Sequence, residues 1–372
     1  MNNKENIRLL ALYLPQYYPF PENDKWWGKG FTEWTNVGKA RPLFRGHYQP
    51  KVPADLGYYD LRLPEVRKEQ ADMAKKYGIE AFCYWHYWFG NGKKLLERVF
   101  EEVVESGKPD FPFCLAWANH SWEKKLFDKA GDNTMLMKQE YPGIKDHITH
   151  FYYLLKAFKD KRYVKVNGKP FFMIFNPDEI PEIEQFISLW NKLALKNGLK
   201  GIHFVAQLRE CNKQKTTDYL KKGFNAVNID RKKDFYNRHI SFSYKVYLKL
   251  FRTLFRIPNI IDYAVAAKSF TTEEDKDRHI YPTLIPNWDH SPRSKNSGFI
   301  LKNSTPLLFA KHIEEICWNI KDKPVEERIV IVKSWNEWGE GNYLEPDLKY
   351  GRQYLETLHN VIYNFFKNEY NR

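Results

Sequence analysis

The chain has 372 residues, 43% of them hydrophobic and 17% aromatic, and a formal net charge of +13. No run of about eighteen apolar residues exists, so no membrane-spanning helix is expected. Basic charge suits anionic partners, but no zinc-finger spacing and no dinucleotide or phosphate glycine loop speaks for nucleic acid, which is not expected as a partner. The aromatic content includes 12 Trp, 24 Tyr and 26 Phe; flat apolar faces beyond the needs of a core are what sugar rings stack on. The four cysteines, Cys83, Cys114, Cys211 and Cys317, lie far apart without metal-ligand or redox spacing, so a reducing compartment is the simpler inference. The polar start, Met1 to Asn6, lacks the apolar core of a signal peptide. A cytoplasmic protein is expected, with a peripheral place at the inner membrane as a further reading.

In chain order, Ile7–Leu14 reads as a first buried strand ended by prolines 15, 19 and 21. A long loop rich in Trp26, Trp27 and Trp34 follows. Glu65–Tyr77 is an amphipathic helix stopped by Gly78. Ile79–Trp85 is the second strand, Lys93–Ser106 a helix, and Phe111–Trp117 the third strand. Asp146–Lys159 is helical, Lys169–Phe175 the fourth strand, Ile180–Lys196 helical and Ile202–Gln207 the fifth strand. A short helix, Thr216–Lys222, precedes the sixth strand, Phe224–Ile229. An insertion, Lys232–Thr272, separates it from the seventh, Ile280–Ile285. Thr305–Lys321 is helical, Arg328–Lys333 is the eighth strand, and Tyr350–Asn368 is the closing helix.

Eight short strands, apolar on both faces and alternating with helices, are the pattern of a parallel sheet covered by helices. A (β/α)8 TIM barrel is the first choice, with an open doubly wound sheet behind it. No composition shift divides the chain, so one domain, 1–372, is expected, carrying the basic helical insertion 232–272. Within that insertion the segment 242–257 places Tyr244, Tyr247, Leu248, Phe251, Leu254 and Phe255 at helical spacing, with Lys245, Lys249, Arg252 and Arg256 between them. It reads either as a helix packed on the barrel or as one that touches an anionic membrane face.

In such barrels the active site lies at the carboxyl ends of the strands. There the sequence puts Tyr13, Gln16 and Tyr17 (strand one), Trp85 and His86 (strand two), and Trp117, Asn119 and His120 (strand three). Asn176, Gln207 and Asp230 follow strands four, five and six. Asn287, Trp288 and Asp289 follow strand seven, and Trp335, Asn336, Glu337, Trp338 and Glu340 follow strand eight. Trp27, Glu33 and Trp34 come from the first loop. The strand starts show no such polarity. These side chains are the candidate substrate contacts, although His86 fits a structural histidine as well, and Trp85 and Trp117 fit caps on the core. Glu337 and Glu340 are the candidate acid and base: carboxylates are costly among aromatic rings unless paired, hydrogen-bonded or used, and two carboxylates carry glycosidic-bond chemistry. No metal-ligand pair or nucleophile elbow stands out, and no cofactor is expected.

Tyr13-Leu-Pro-Gln-Tyr17, Trp27-Gly-Lys-Gly-Phe-Thr-Glu-Trp34, Phe82-Cys-Tyr-Trp-His-Tyr-Trp88, Trp117-Ala-Asn-His120 and Trp335-Asn-Glu-Trp-Gly-Glu-Gly341 together resemble the WbsX-like family. These are glycoside hydrolase family 99-like proteins of bacterial polysaccharide loci, and many members carry a glycosyltransferase label. The resemblance covers nearly the whole chain in order. It implies a (β/α)8 barrel, no metal, and an oligo- or polysaccharide substrate, free or lipid-linked. Family 99 enzymes are retaining endo-α-mannosidases and endomannanases in which one carboxylate deprotonates the substrate 2-hydroxyl and another, three residues on, protonates the leaving oxygen. By position Glu337 resembles the first and Glu340 the second. The Trp- and Asn-flanked surroundings depart from that pattern, so mannose specificity does not carry over. Three readings stand: cleavage or transfer by a glycosidase-like mechanism on a bacterial surface polysaccharide or its precursor, a glycosyltransferase of polysaccharide biosynthesis, and a catalytically silent glycan-binding protein.

Overall fold

The computed structural model describes residues 7–125, 133–210, 212–255 and 257–370. Eight parallel strands are laid down along the chain with helices between them: β1 Arg8–Tyr13, β2 Ala81–Trp88, β3 Phe113–Trp117, β4 Lys169–Ile174, β5 His203–Leu208, β6 Ala226–Ile229, β7 Ile280–Leu284 and β8 Ile329–Val332. This is a (β/α)8 barrel. β3 and β8 are buried at every position, because a strand covered on both faces can only be apolar throughout. The main helices are α1 Pro21–Trp27, α2 Glu33–Lys39, α3 Pro64–Lys76, α4 Glu97–Ser106, α5 Ile144–Lys159, α6 Ile183–Lys196, α7 Lys213–Lys221, α8 Asp234–His239, α9 Phe242–Phe255, α10 Tyr263–Ala267, α11 Ser291–Ser294, α12 Pro306–Ile320 and α13 Gln353–Tyr370.

The chain divides into two compact units. The first takes the chain up to Glu80, a short piece after Leu208, and Ile229 onward; the second takes Ala81–Leu208 and Asn212–Asn228. In the first unit β8 pairs in parallel with β1, Leu10 opposite Ile331, and with β7, Thr283 opposite Ile331. A smaller sheet sets Asn259–Asp262 parallel to Phe299–Lys302, which runs antiparallel to Trp288–Asp289. It closes a satellite core of Tyr263, Ala266, Phe270, Ile285, Trp288, Phe299 and Leu301. In the second unit β2 pairs with β3, β3 with β4, and β4 with β5, all in parallel. Trp190 on α6 is fully buried there among Phe151, Phe158, Phe172 and Phe186.

Three expectations need correction. The Trp-rich first loop is two helices: Pro21 at the first turn of α1 is preset for a helix, and Thr32 and Thr35 form a capping box on α2. β2 runs on through His86, Tyr87 and Trp88, because Tyr87 and Trp88 pair with Leu95 and Lys94, which also delays α4 to Glu97. The insertion is a mixture of helix and strand, with α9 as its longest element.

α9 does not turn its apolar side inward. Phe242 is 82% exposed and Leu254 77%, and Val246, Tyr247 and Leu250 are exposed beside them. Lys245, Leu248 and Arg252 are the half-buried positions. The Lys245 ammonium donates to the Asn237 carbonyl at 2.9 Å. The reading in which the apolar stripe packs on the barrel is therefore excluded for these side chains. Arg256 lies outside the described residues, as does Cys211. Cys83, Cys114 and Cys317 are buried and form no disulfide.

Candidate active site

The site of the first unit is built on the turn that follows β8. The Trp335 N–H donates to the Leu12 carbonyl at 2.8 Å. Asn336 latches the end of β1: its Oδ1 accepts from the Leu14 N–H at 2.8 Å and its Nδ2 donates to the Leu14 carbonyl at 3.0 Å. Asn336–Glu337 then pairs antiparallel with Asn342–Tyr343, leaving Trp338–Glu340 as a single tight turn. Gly341 closes the turn in the left-handed region at φ 54°, where a side chain is disfavoured. Gly339 is demanded by close approach, since a Cβ there would fall 1.5 Å from Glu33 Oε1. The Tyr17 hydroxyl donates to the Asn336 carbonyl and accepts from the Trp338 N–H. Trp338 stacks on Tyr343 with centroids 3.8 Å apart and donates to Glu345 at 2.6 Å.

This frame holds Glu337 and Glu340 in contact but in opposite electrostatic settings. Arg293 donates from Nη1 to Glu340 Oε1 at 2.7 Å and from Nε to Glu33 Oε1 at 2.8 Å, so one guanidinium bridges two carboxylates. His290 Nε2 lies 3.5 Å from the same Glu340 oxygen. Burial would raise the Glu340 carboxyl, but Arg293, then His290 and Lys333, hold it well below the usual carboxylate range. Glu337 is 7% exposed, and its nearest side-chain donor besides Glu340 is Asn342 Nδ2 at 3.5 Å. Burial, the Glu340 charge and a hydrogen bond to Glu340 push it up to about 8 against Arg293 and Lys333. These surroundings favour placing a proton of the pair on Glu337 and leaving Glu340 ionised. That order is opposite to the one implied by the family resemblance, where Glu340 is the acid.

A lysine pair flanks the carboxylates. Lys333, at the end of β8, donates to Asp230 Oδ2 at 2.8 Å, and Lys232 bonds the same oxygen. Their ammonium groups lie 4.4 Å (Lys232) and 5.3 Å (Lys333) from the centroid of Trp288. Burial would lower the Lys333 ammonium, but Asp230, Glu340 and Glu337 raise it overall.

Several candidates in the first unit prove to be framework. The Tyr13 hydroxyl donates to Gln70 on α3 at 2.6 Å, so Tyr13 faces the helix. Tyr17 and Asn336 are spent on the turn. Trp335 and Trp338 are fully buried. Trp34 donates to the Tyr59 carbonyl at 2.8 Å and lies 5.7 Å from Trp338. The Gln16 carbonyl accepts from the Glu33 N–H. Trp27 is 41% exposed and stacked on Phe31. Asn287 exchanges hydrogen bonds with the Tyr343 backbone at 3.2 and 3.3 Å. Glu33 meets Arg293, and Trp288 meets the lysines with a buried Nε1 that has no partner among the described residues.

In the second unit the strand alternation decides. His86 is hydrogen-bonded to His150 of α5 at 2.8 Å, and its neighbour Trp88 stacks on that same ring at 4.5 Å. Burial lowers both imidazoles, so they form a neutral structural pair. Trp117 packs on His150 and Phe186. His86 and Trp117 are thus both held against the α5 side of the strands. Asn119 ties its loop to Asn176 through two hydrogen bonds, at 2.7 and 2.8 Å, and is likewise framework. His120 lies 5.2 Å from Phe175. Trp85 Nε1 and Gln207 Oε1 are buried without partners among the described residues and keep hydrogen-bonding capacity for a ligand. Sequence reasoning missed Arg293, His290, Lys232, Lys333, Asn342 and Glu345. Lys333 was readable only as the last residue of a strand, and nothing local ties Arg293 or His290 to Glu340.

The chain matches a family model over residues 9–358, that of "Glycosyltransferase WbsX". It is 33% identical over 356 residues to the uncharacterized protein WxcX of Xanthomonas campestris pv. campestris, covering 95% of this chain and 49% of the relative. The chain thus spans about half the length of the curated relatives it matches. Among solved structures, the GH99 endo-alpha-mannosidase of Bacteroides thetaiotaomicron superposes with a TM-score of 0.57 at 13% identity, covering 98% of this chain and 99% of that one. A glycoside hydrolase-like protein gives a TM-score of 0.59 at 15% identity, covering 97% and 95%; at such identities the likeness is one of fold. The fold is that of a (β/α)8 barrel. The chain belongs to the WbsX glycosyltransferase family.

Proposed function

We propose that the protein makes or breaks a glycosidic bond in a bacterial surface polysaccharide or its precursor, with Glu337 and Glu340 as an acid–base pair. The observation that carries this reading is the unequal setting of two neighbouring carboxyls, Glu340 held by Arg293 and His290 while the buried Glu337 meets no cation at hydrogen-bond distance among the described residues, which drives their proton affinities apart as assigned acid and base roles require. In the resting enzyme Glu337 holds the proton that a leaving oxygen requires, and Glu340 is the carboxylate. In a step with participation of the substrate's own 2-hydroxyl, Glu340 would take that hydroxyl's proton and Glu337 would protonate the leaving oxygen. Cleavage and transfer differ only in whether water or a sugar hydroxyl takes the glycosyl group.

The pH profile tests it. Activity that needs Glu337 protonated and Glu340 ionised should be flat through neutrality and fall with unit slope above about 8, the value to which Glu337 is raised. A profile that instead falls between pH 4 and 6, as for ordinary exposed carboxyls, speaks against the assignment. Stability should carry the same sign. Glu337 is raised above its unfolded value of 4.5, so its contribution is full below that pH and is lost as pH rises towards about 8.

We propose further that the outward apolar stripe of α9, with Lys249 exposed beside it, rests on an anionic membrane face, where a lipid-linked glycan would be met. Among the described residues no helix is long and apolar enough to cross a membrane, so the contact would be peripheral. The protein should co-sediment with vesicles containing phosphatidylglycerol at low salt, and Leu250→Glu with Leu254→Glu should release it. Equal sedimentation of the double variant would refute the contact.

A further inference from the structure

A cavity of about 360 Å³ in the first unit opens between the segment Phe44–Lys51, the strand Phe299–Lys302 and the residues after Tyr343. Four cationic side chains line it: Arg45, Lys51, Lys302 and Lys349. Its two carboxylates are already committed. Asp289 accepts from His47 at 2.7 Å, Gln49 at 2.6 Å and the Ser291 N–H at 2.9 Å. Asp347 accepts from the Tyr343 hydroxyl at 2.6 Å and from two backbone N–H groups. Among the described residues, none of the four cations is held in an ion pair. The cavity therefore carries four cations against two carboxylates, and of the four it is the buried one, Lys51, whose charge calls for a partner.

Lys51 is the most telling of the four. It is 7% exposed, yet its ammonium donates one side-chain hydrogen bond, to the Gly341 carbonyl at 3.2 Å, and otherwise rests 5.1 Å from the Tyr343 centroid. Two of its three donors have no acceptor among the described residues. At the rim, Lys349 lies 4.9 Å from the centroids of both Tyr48 and Tyr350, which fixes its direction. Gly341 follows Glu340 directly, so an anion bound to Lys51 would sit against the turn that carries the acid pair.

We propose that this cavity binds a phosphate-bearing group, with Lys51 as its buried contact and Lys302, Lys349 and Arg45 at its mouth. For its place in the reaction this rests on the reading of Glu337 and Glu340 as a glycan-active pair, with the phosphate belonging to the carrier of a sugar. Two carriers share that chemistry, a nucleoside diphosphate and an isoprenoid lipid pyrophosphate.

The test is titration calorimetry of the full chain with inorganic pyrophosphate, uridine diphosphate and farnesyl pyrophosphate. Pyrophosphate should bind, more weakly as salt rises. Lys302→Gln combined with Lys349→Gln, both exposed and harmless to folding, should weaken it about tenfold or more, as expected for lost charge-assisted hydrogen bonds. Lys51→Met should weaken it further. Tighter binding of the nucleotide identifies that carrier, tighter binding of the farnesyl compound identifies the lipid, and equal binding leaves the phosphates as the whole of the recognition. No binding of pyrophosphate, or binding unchanged in the double variant, overturns the proposal. Binding is read without turnover, so its failure leaves the role of the acid pair standing, and an inactive acid pair would leave the binding site standing.

Discussion

Glu337→Gln and Glu340→Gln should each lower glycosidic turnover by about 10²–10⁴-fold, the usual contribution of a positioned acid or base. The double variant should be little worse than the poorer single one, because the two groups act as a unit. The substitutions also separate the roles. An amide at position 337 cannot donate a carboxyl proton, so Glu337→Gln should recover on a substrate with an acidic leaving group, such as a nitrophenyl glycoside of the cognate sugar. Glu340→Gln should not recover there. The reverse pattern would return the order implied by the family resemblance, in which Glu340 is the acid.

Arg293→Ala should be the most damaging single change to the site's integrity. It strands Glu33, whose side chain is 2% exposed, and Glu340 without their shared cation. Breaking a buried pair by removing one partner costs about 3–5 kcal/mol. The sign with pH follows from Glu340, whose folded affinity for protons is depressed. Its contribution is present above the unfolded value of 4.5 and lost as pH falls through the folded one, so the deficit of Arg293→Ala should shrink in acid. Arg293→Lys keeps the charge but not the fork that spans two carboxylates, and should fall between. Urea unfolding at pH 7 and at pH 4 measures both; an Arg293→Ala protein as stable as the wild type at pH 7 would remove Arg293 from the account.

Much of the barrel could be read from the chain because doubly covered parallel strands are apolar throughout, as Ile329–Val332 and Phe113–Trp117 are. Their ends were also visible, and Glu337 and Glu340 stood out there as carboxylates among indoles. Parity was not visible. His86 and Trp88 lie two residues apart on one strand and both meet His150 on α5, so their polarity serves the helix layer. Tyr13 meets Gln70 of α3 for the same reason. The charge setting was hidden as well. Arg293 and His290 come from the segment around α11, 47 and 50 residues before Glu340, and sequence spacing carries no trace of a contact made by folding. The first loop concealed two helices, although Pro21 and the Thr32–Thr35 box were both present in the sequence as helix starts.

Glu337 and Glu340 are expected to share one proton at neutral pH, placed on Glu337. Carbon-13 NMR of protein labelled at the glutamate carboxyls measures it directly. One resonance should titrate near 8, vanish in Glu337→Gln, and titrate lower in Glu340→Gln, where the neighbouring charge is gone. Two carboxyls that both titrate near the ordinary value of 4.5 would contradict it.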